Sequence, residues 1–128
     1  MTPWRWSKWL HPQVGRKYDA MFTCAIEQVT NDAHCWGFNG SGQLGGNVTG
    51  ECLDESGFPF QCAFEPSAVT GGHTFQSLSA GTQHMCGVST DGVAYCWGLG
   101  SEGQLGDGSK GSNVISIEPV RVAGQPEE

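Results

Sequence analysis

The sequence predicts an all-β fold made of tandem modules, and three observations predict it. A block of residues occurs twice in the same order. Glycine is abundant and charge is sparse, with 20 glycines among 128 residues and only 15% charged side chains. Six cysteines fall into three local pairs, at 24 and 35, 52 and 62, and 86 and 96. Glycine supplies the left-handed backbone that tight turns need. A repeat of this length marks stacked supersecondary units, none of which buries its own apolar face alone.

The first copy runs from Phe22-Thr23-Cys24-Ala25-Ile26 to Cys35-Trp36-Gly37 and then Gly42-Gln43-Leu44-Gly45. The second runs from His84-Met85-Cys86-Gly87-Val88 to Cys96-Trp97-Gly98 and then Gly103-Gln104-Leu105-Gly106. Both close on Pro-x-x-Val-x-Gly, at Pro66–Gly71 and Pro119–Gly124. Residues 22–26 and 33–37 read as a hairpin, 38–65 as a long loop and 66–70 as a further strand. In the second copy, 75–79 alternates as a strand does. Residues 84–88 and 93–97 form a hairpin, 98–116 a glycine-rich excursion, and 119–123 a last strand with Pro119 at its tolerated first position. Four strands in about 50 residues make the blade of a β-propeller. The expected organisation is 1–18 as a basic tail outside the propeller, 19–71 as a first blade lacking its first strand, 72–124 as a complete second blade, and 125–128 as a tail. Trp36 and Trp97 are 61 residues apart but Pro66 and Pro119 only 53, so the first loop carries eight extra residues and the extra cysteine pair.

The cysteine spacing favours local bridges over the other pairings open to six cysteines. Cys86 and Cys96 flank Thr90-Asp91-Gly92, a three-residue hairpin loop with Gly92 left-handed, which sets them opposite one another within disulfide reach. Cys24 and Cys35 flank one residue more, and need a four-residue loop or a bulge. Cys52 and Cys62 flank Gly57-Phe58-Pro59. Each bridge closes a loop of about ten residues and contributes roughly 3 kcal/mol in the loop-entropy model. Such bonds persist in an oxidising compartment, so the expected location is extracellular or cell-surface.

The net charge of −7 argues against a nucleic-acid surface. Residues 1–17 carry Arg5, Lys8, Arg16 and Lys17 and no acid, whereas 18–128 carry Lys110 and Arg121 against all 13 acids. Trp4, Trp6 and Trp9 in the basic segment suggest an interfacial anchor. The segment lacks a clean helical stripe, and the reading adopted is a tail with no membrane contact. No apolar run is long enough to span a bilayer, and Met1–Leu10 does not read as a secretory signal.

These residues resemble the repeat of the regulator of chromosome condensation family. The resemblance rests on His84-x-Cys86, Asp91-Gly92, Tyr95-Cys96-Trp97-Gly98, Gly103-Gln104-Leu105-Gly106-Asp107-Gly108 and Pro119-x-x-Val122. It covers roughly residues 20–124, in the cysteine-paired bacterial form. The family implies a seven-bladed propeller, of which this chain holds about two blades. The chain is therefore expected to be a fragment, or a piece completed by further blades from the same parent chain or from another copy.

Few residues invite chemistry. Symmetric residues in a repeat are framework: Trp36 and Trp97 as flat apolar area between blades, Leu44 and Leu105 as plugs into neighbouring blades, and Gln43 and Gln104 within the shared loops. His84 is expected to serve a neighbouring turn. His11, His34 and His73 form no evident triad, and Asp54 and Glu55 read as solvated. Asp107-Gly108 suggests calcium, but Gly46 replaces the aspartate in the first copy. Asn39-Gly40-Ser41 and Asn47-Val48-Thr49 match the glycosylation acceptor pattern, with Asn39 more simply a turn residue. No catalytic residue, cofactor or metal is expected.

The expectation for function is a recognition scaffold for a protein partner, without catalysis of its own. The segment Glu51–Phe64 distinguishes the first copy, and Glu51, Phe58 and Phe60 are its candidate contacts. One rival, implied by the resemblance, is a guanine-nucleotide exchange regulator of a small GTPase. The other is a secreted enzyme inhibitor.

Overall fold

The computed structural model describes residues 9–17, 20–40, 42–46, 48, 50–53, 56–100, 103–106 and 114–125, with backbone alone for 9–13, 15–17 and 20. Among the described residues the strands are β1 (Trp9–Lys17), β2 (Ala20–Glu27), β3 (Ala33–Phe38), β4 (Glu51–Leu53), β5 (Pro59–Ala68), β6 (Phe75–Ala80), β7 (His84–Ser89), β8 (Ala94–Leu99) and β9 (Ile115–Arg121). They form two antiparallel sheets, ordered β1-β2-β3-β5-β4 and β6-β7-β8-β9. The sheets are two propeller blades, the first carrying β4 as a short extra edge strand.

Both hairpins form as their turn residues dictate. In the second blade the Ser89 N–H donates to the Val93 carbonyl at 2.8 Å around Thr90–Gly92, and Gly92 has φ +88°. The Ser89 hydroxyl donates to the Asp91 carboxylate and accepts from the Val93 N–H at 3.0 Å. The first blade has a four-residue loop between Glu27 and Asp32, closed by Asn31 at φ +64°. Asparagine tolerates this conformation better than other side chains. The longer loop absorbs the extra residue, so Cys24 still faces Cys35 as Cys86 faces Cys96. All three bridges form, 24–35, 52–62 and 86–96.

Three elements differ from the sequence expectation. Trp9–Lys17 falls in the 1–18 segment expected as a tail, yet it is β1 and pairs with β2, with Val14 opposite Thr23, and so supplies the strand that the first blade is expected to lack. The backbone groups on that edge of β2 would otherwise lack partners, and the ladder outweighs the basic, proline-containing composition that disguised the strand. The 38–65 loop contains a hairpin, in which β4 pairs with β5, and β5 starts at Pro59 rather than Pro66. The third difference is β9, which begins at Ile115, four residues before Pro119.

The blades pack face to face. Phe22, Cys24, Ile26, Ala33 and Cys35 of the first meet Phe75, Leu78, Met85 and Trp97 of the second in one apolar core, with Leu44 and Val48 inserted. A backbone bond from the Phe75 N–H to the Asn31 carbonyl, 2.8 Å long, ties the first hairpin loop to β6.

Candidate recognition surface

Two places concentrate the candidate residues: the seat between the blades and the stapled β4–β5 hairpin. The seat is built from the Gly42-Gln43-Leu44-Gly45 loop. The buried Asn39 organises it, its Oδ1 accepting from the Leu44 N–H at 2.9 Å while its amide donates to Gln61 Oε1. Gly42 and Gly45 take φ of +75° and +71°. This presents the Gln43 carbonyl to Trp97, whose indole N–H donates to it at 3.0 Å. A Cβ on Gly45 would lie 2.8 Å from the Trp97 indole nitrogen, so only glycine lets the ring seat. Phe75 packs at 5.7 Å from Trp97 between ring centroids, and Tyr95 stacks on His73 at 4.0 Å.

The equivalent residues of the two copies are not equally covered. Trp97 and Met85 are fully buried, whereas Trp36 is partly exposed. Gln43 and Gly45 are buried, but Gln104 is partly exposed and Gly106 exposed. Cys24 and Cys35 are buried, while Cys86 is partly exposed. Leu44 joins the inter-blade core. Leu105 is buried within its own blade, against Gly100 and close to Val114. His84 serves the turn before its strand, as its carbonyl accepts the Gly81 N–H at 2.8 Å and its ring covers Gly81. Burial of the ring holds its pKa below the ordinary 6.5.

The hairpin carries the other candidates. Glu51 is exposed, and so is Phe58, at 69%. Phe60 is half-covered, its ring 5.3 Å from that of Phe38, so it braces the hairpin's base more than it offers itself. Leu53 and Phe64, which the sequence reading did not single out, are exposed at 67% and 70%. The alternation Phe58-x-Phe60-x-Cys62-x-Phe64 was the available signal for both the strand and the apolar edge. Beside β5 lies an open cleft of about 310 Å³, lined by Val48, Gly50, Phe64 and Glu65 among others. The Cys52–Cys62 bridge crosses between β4 and β5 and fixes the hairpin.

Asp54, Glu55, Asn47 and Asp107-Gly108 lie outside the described residues. Asn39 is 4% exposed with its amide engaged in the loop, which makes it a structural residue and not an accessible acceptor for a glycan. Among the described residues no three His, Cys, Asp or Glu side chains gather as metal ligands would.

Two family models described as the Regulator of chromosome condensation (RCC1) repeat match residues 75–104 and 91–127. Residues 75–127 thus match the RCC1 repeat. It is 28% identical over 102 residues to the ultraviolet-B receptor UVR8 of Arabidopsis thaliana, a match covering 80% of this chain and 21% of that protein. Two solved structures of the yeast protein share the fold. One is yeast RCC1 (Prp20) bound to Kap60, with a TM-score of 0.63 at 21% identity, covering 80% of this chain and 23% of that one. The other is Prp20p from Saccharomyces cerevisiae, described with its binding properties to Gsp1p and histones, with a TM-score of 0.67 at 22% identity, covering 80% and 24%. The chain thus spans about a quarter or less of these relatives. Both matches fall on the second blade, and the seat for Trp97 is how that blade locks to the first.

Proposed function

We propose that this chain is a protein-recognition scaffold of an oxidising compartment, with the β4–β5 hairpin as its contact surface and no catalysis of its own. The observation that carries the reading is the hairpin itself: Leu53, Phe58 and Phe64 are exposed on a segment stapled by its own disulfide. Exposed apolar side chains grouped on one element mark an interaction site. A pre-ordered hairpin loses little conformational freedom on binding, so more of its contact energy appears as affinity. The blades supply the rigid frame on which such an insertion is displayed. Three internal disulfides argue for this reading over that of a cytosolic exchange factor, whose compartment would keep the thiols reduced. The yeast relative is seen bound to Kap60 and has described binding properties to Gsp1p and histones, which supports a protein as the ligand class.

The test is selection of binders from a secreted or surface protein library against the oxidised chain, followed by the variant Phe58→Ser/Phe64→Ser. The proposal expects at least about tenfold weaker binding with an unchanged melting temperature. A selected partner that binds the double variant as tightly as the parent would overturn it.

A further inference from the structure

β4 is the last strand at one edge of the first sheet, with β1 at the other. The blades stack face against face, so stacking leaves the edge that β4 forms uncovered. Residues of an antiparallel strand turn their backbone groups alternately to either side. The Cys62 N–H donates to the Gly50 carbonyl at 3.0 Å, while the Gln61 carbonyl accepts from the Asn39 N–H, on the other side of β5, at 2.9 Å. Glu51 stands opposite Gln61, Cys52 opposite Phe60 and Leu53 opposite Pro59. Gly50 and Cys52 therefore turn their backbone groups to β5, and Glu51 and Leu53 turn theirs outward. The same two residues share one face of β4 and are both exposed, whereas Cys52 between them is half-buried and bridged to Cys62. A carboxylate and an apolar side chain thus stand beside outward backbone groups on a short edge strand. Between Lys17 and Lys110 the sequence has no lysine or arginine, so the rest of the first blade offers Glu51 no base.

We propose that the hairpin takes an extended segment of its protein partner as an added antiparallel strand on β4. That segment carries a lysine or arginine opposite Glu51 and an apolar residue opposite Leu53. The inference rests on the hairpin being the contact surface, and it names the chemistry of what binds there. Strand addition draws affinity from main-chain hydrogen bonds and selectivity from alternate side chains. Side chains directly opposite on one face stand about 5 Å apart, close enough for an ion pair at Glu51 and an apolar contact at Leu53. Only alternate residues share a face, so the base and the apolar residue lie two positions apart in the partner. The Cys52–Cys62 bridge holds β4 in place as the template. A charge on a short edge strand also guards it against indiscriminate pairing. Glu51 favours a segment that brings a base and disfavours an acidic one, a second copy of this hairpin included.

The experiment selects displayed random peptides on the full oxidised chain and measures the affinity of the enriched ones as synthetic peptides. Enriched sequences are expected to share a lysine or arginine two positions from an apolar residue. N-methylation of the backbone at either of those two residues should weaken binding at least about tenfold, and at the residue between them by no more than about twofold, because only alternate amides face β4. Glu51→Lys should weaken binding by a similar factor and restore it for the peptide whose base is replaced by glutamate, which also shows that the variant is folded. Glu118→Lys makes the same change of charge at an exposed residue of the second blade and should leave binding unchanged. A selection without the base–apolar pair overturns the inference, as does equal tolerance of N-methylation at all three positions, or an equal effect of Glu51→Lys and Glu118→Lys. Peptides that ignore N-methylation and Glu51→Lys yet are lost with Phe58→Ser/Phe64→Ser would sink strand addition and leave the hairpin as the contact surface. Peptides indifferent to all of these changes would sink both.

Discussion

Trp97 and Gln43 stand 54 residues apart in the chain and join across the blade interface, the indole N–H of one on the backbone carbonyl of the other at 3.0 Å. Because the acceptor is a backbone atom, the bond depends on the shape of the glycine loop and not on the glutamine side chain. Trp97→Ala removes a fully buried ring and the indole N–H that this carbonyl accepts. It should cost about 3–5 kcal/mol in denaturant unfolding, and Trp36→Ala less than half as much.

The two loop glycines separate backbone strain from crowding. Ala at either pays about 1 kcal/mol or more for a positive φ. At Gly45 the added carbon also meets Trp97, whereas at Gly106 it meets the outer atoms of Val122. Gly45→Ala should therefore lower the melting temperature clearly more than Gly106→Ala, as calorimetry of the pair would read.

Asn39 bonds through its side chain to the Leu44 N–H and to the Gln61 side chain, all but out of solvent. Asn39→Ala strands the buried Leu44 N–H, and a loss of roughly 2–3 kcal/mol is expected in urea unfolding. Expression in a glycosylating host should add no glycan at this residue, as intact mass would report.

The bridges differ in access. Cys24 and Cys35 lie in the inter-blade core, while Cys52 and Cys86 are each partly exposed. Mild reductant followed by alkylation and peptide mapping should label the 52–62 and 86–96 pairs before 24–35.

His84 gives a pH dependence of definite sign. Its folded pKa is lowered from 6.5 by burial, so the unfolded chain takes up the proton more readily. Its contribution is fully present above about pH 6.5 and is lost as pH falls from there through the folded value. Thermal melts of the parent should decline over that interval, and His84→Gln should flatten that part of the curve.

The repeat made most of this architecture legible. Trp, Gly and Cys at matched positions gave the hairpins, the local bridges and the shared loops, because each of those residues serves a local geometric demand. Trp9–Lys17 was hidden because its strand character comes from the open edge of β2 and not from its own pattern. The β4–β5 hairpin was masked by Pro59, Pro66 and the glycines around them, although Phe58 to Phe64 alternates. What no residue pattern could supply is which copy is covered. Trp36 and Trp97 are the same in sequence, and only their places in the stack of blades leave one fully buried and the other partly exposed.

Hydrogen exchange at the two indole N–H groups tests the packing of blade on blade most directly, with Trp36→Phe and Trp97→Phe assigning the signals. The Trp97 proton, buried and bonded to the first blade, should exchange only on global unfolding and far more slowly than that of Trp36. Equal, rapid exchange at both positions would mean that the two repeats do not lock through Trp97, and would contradict the account.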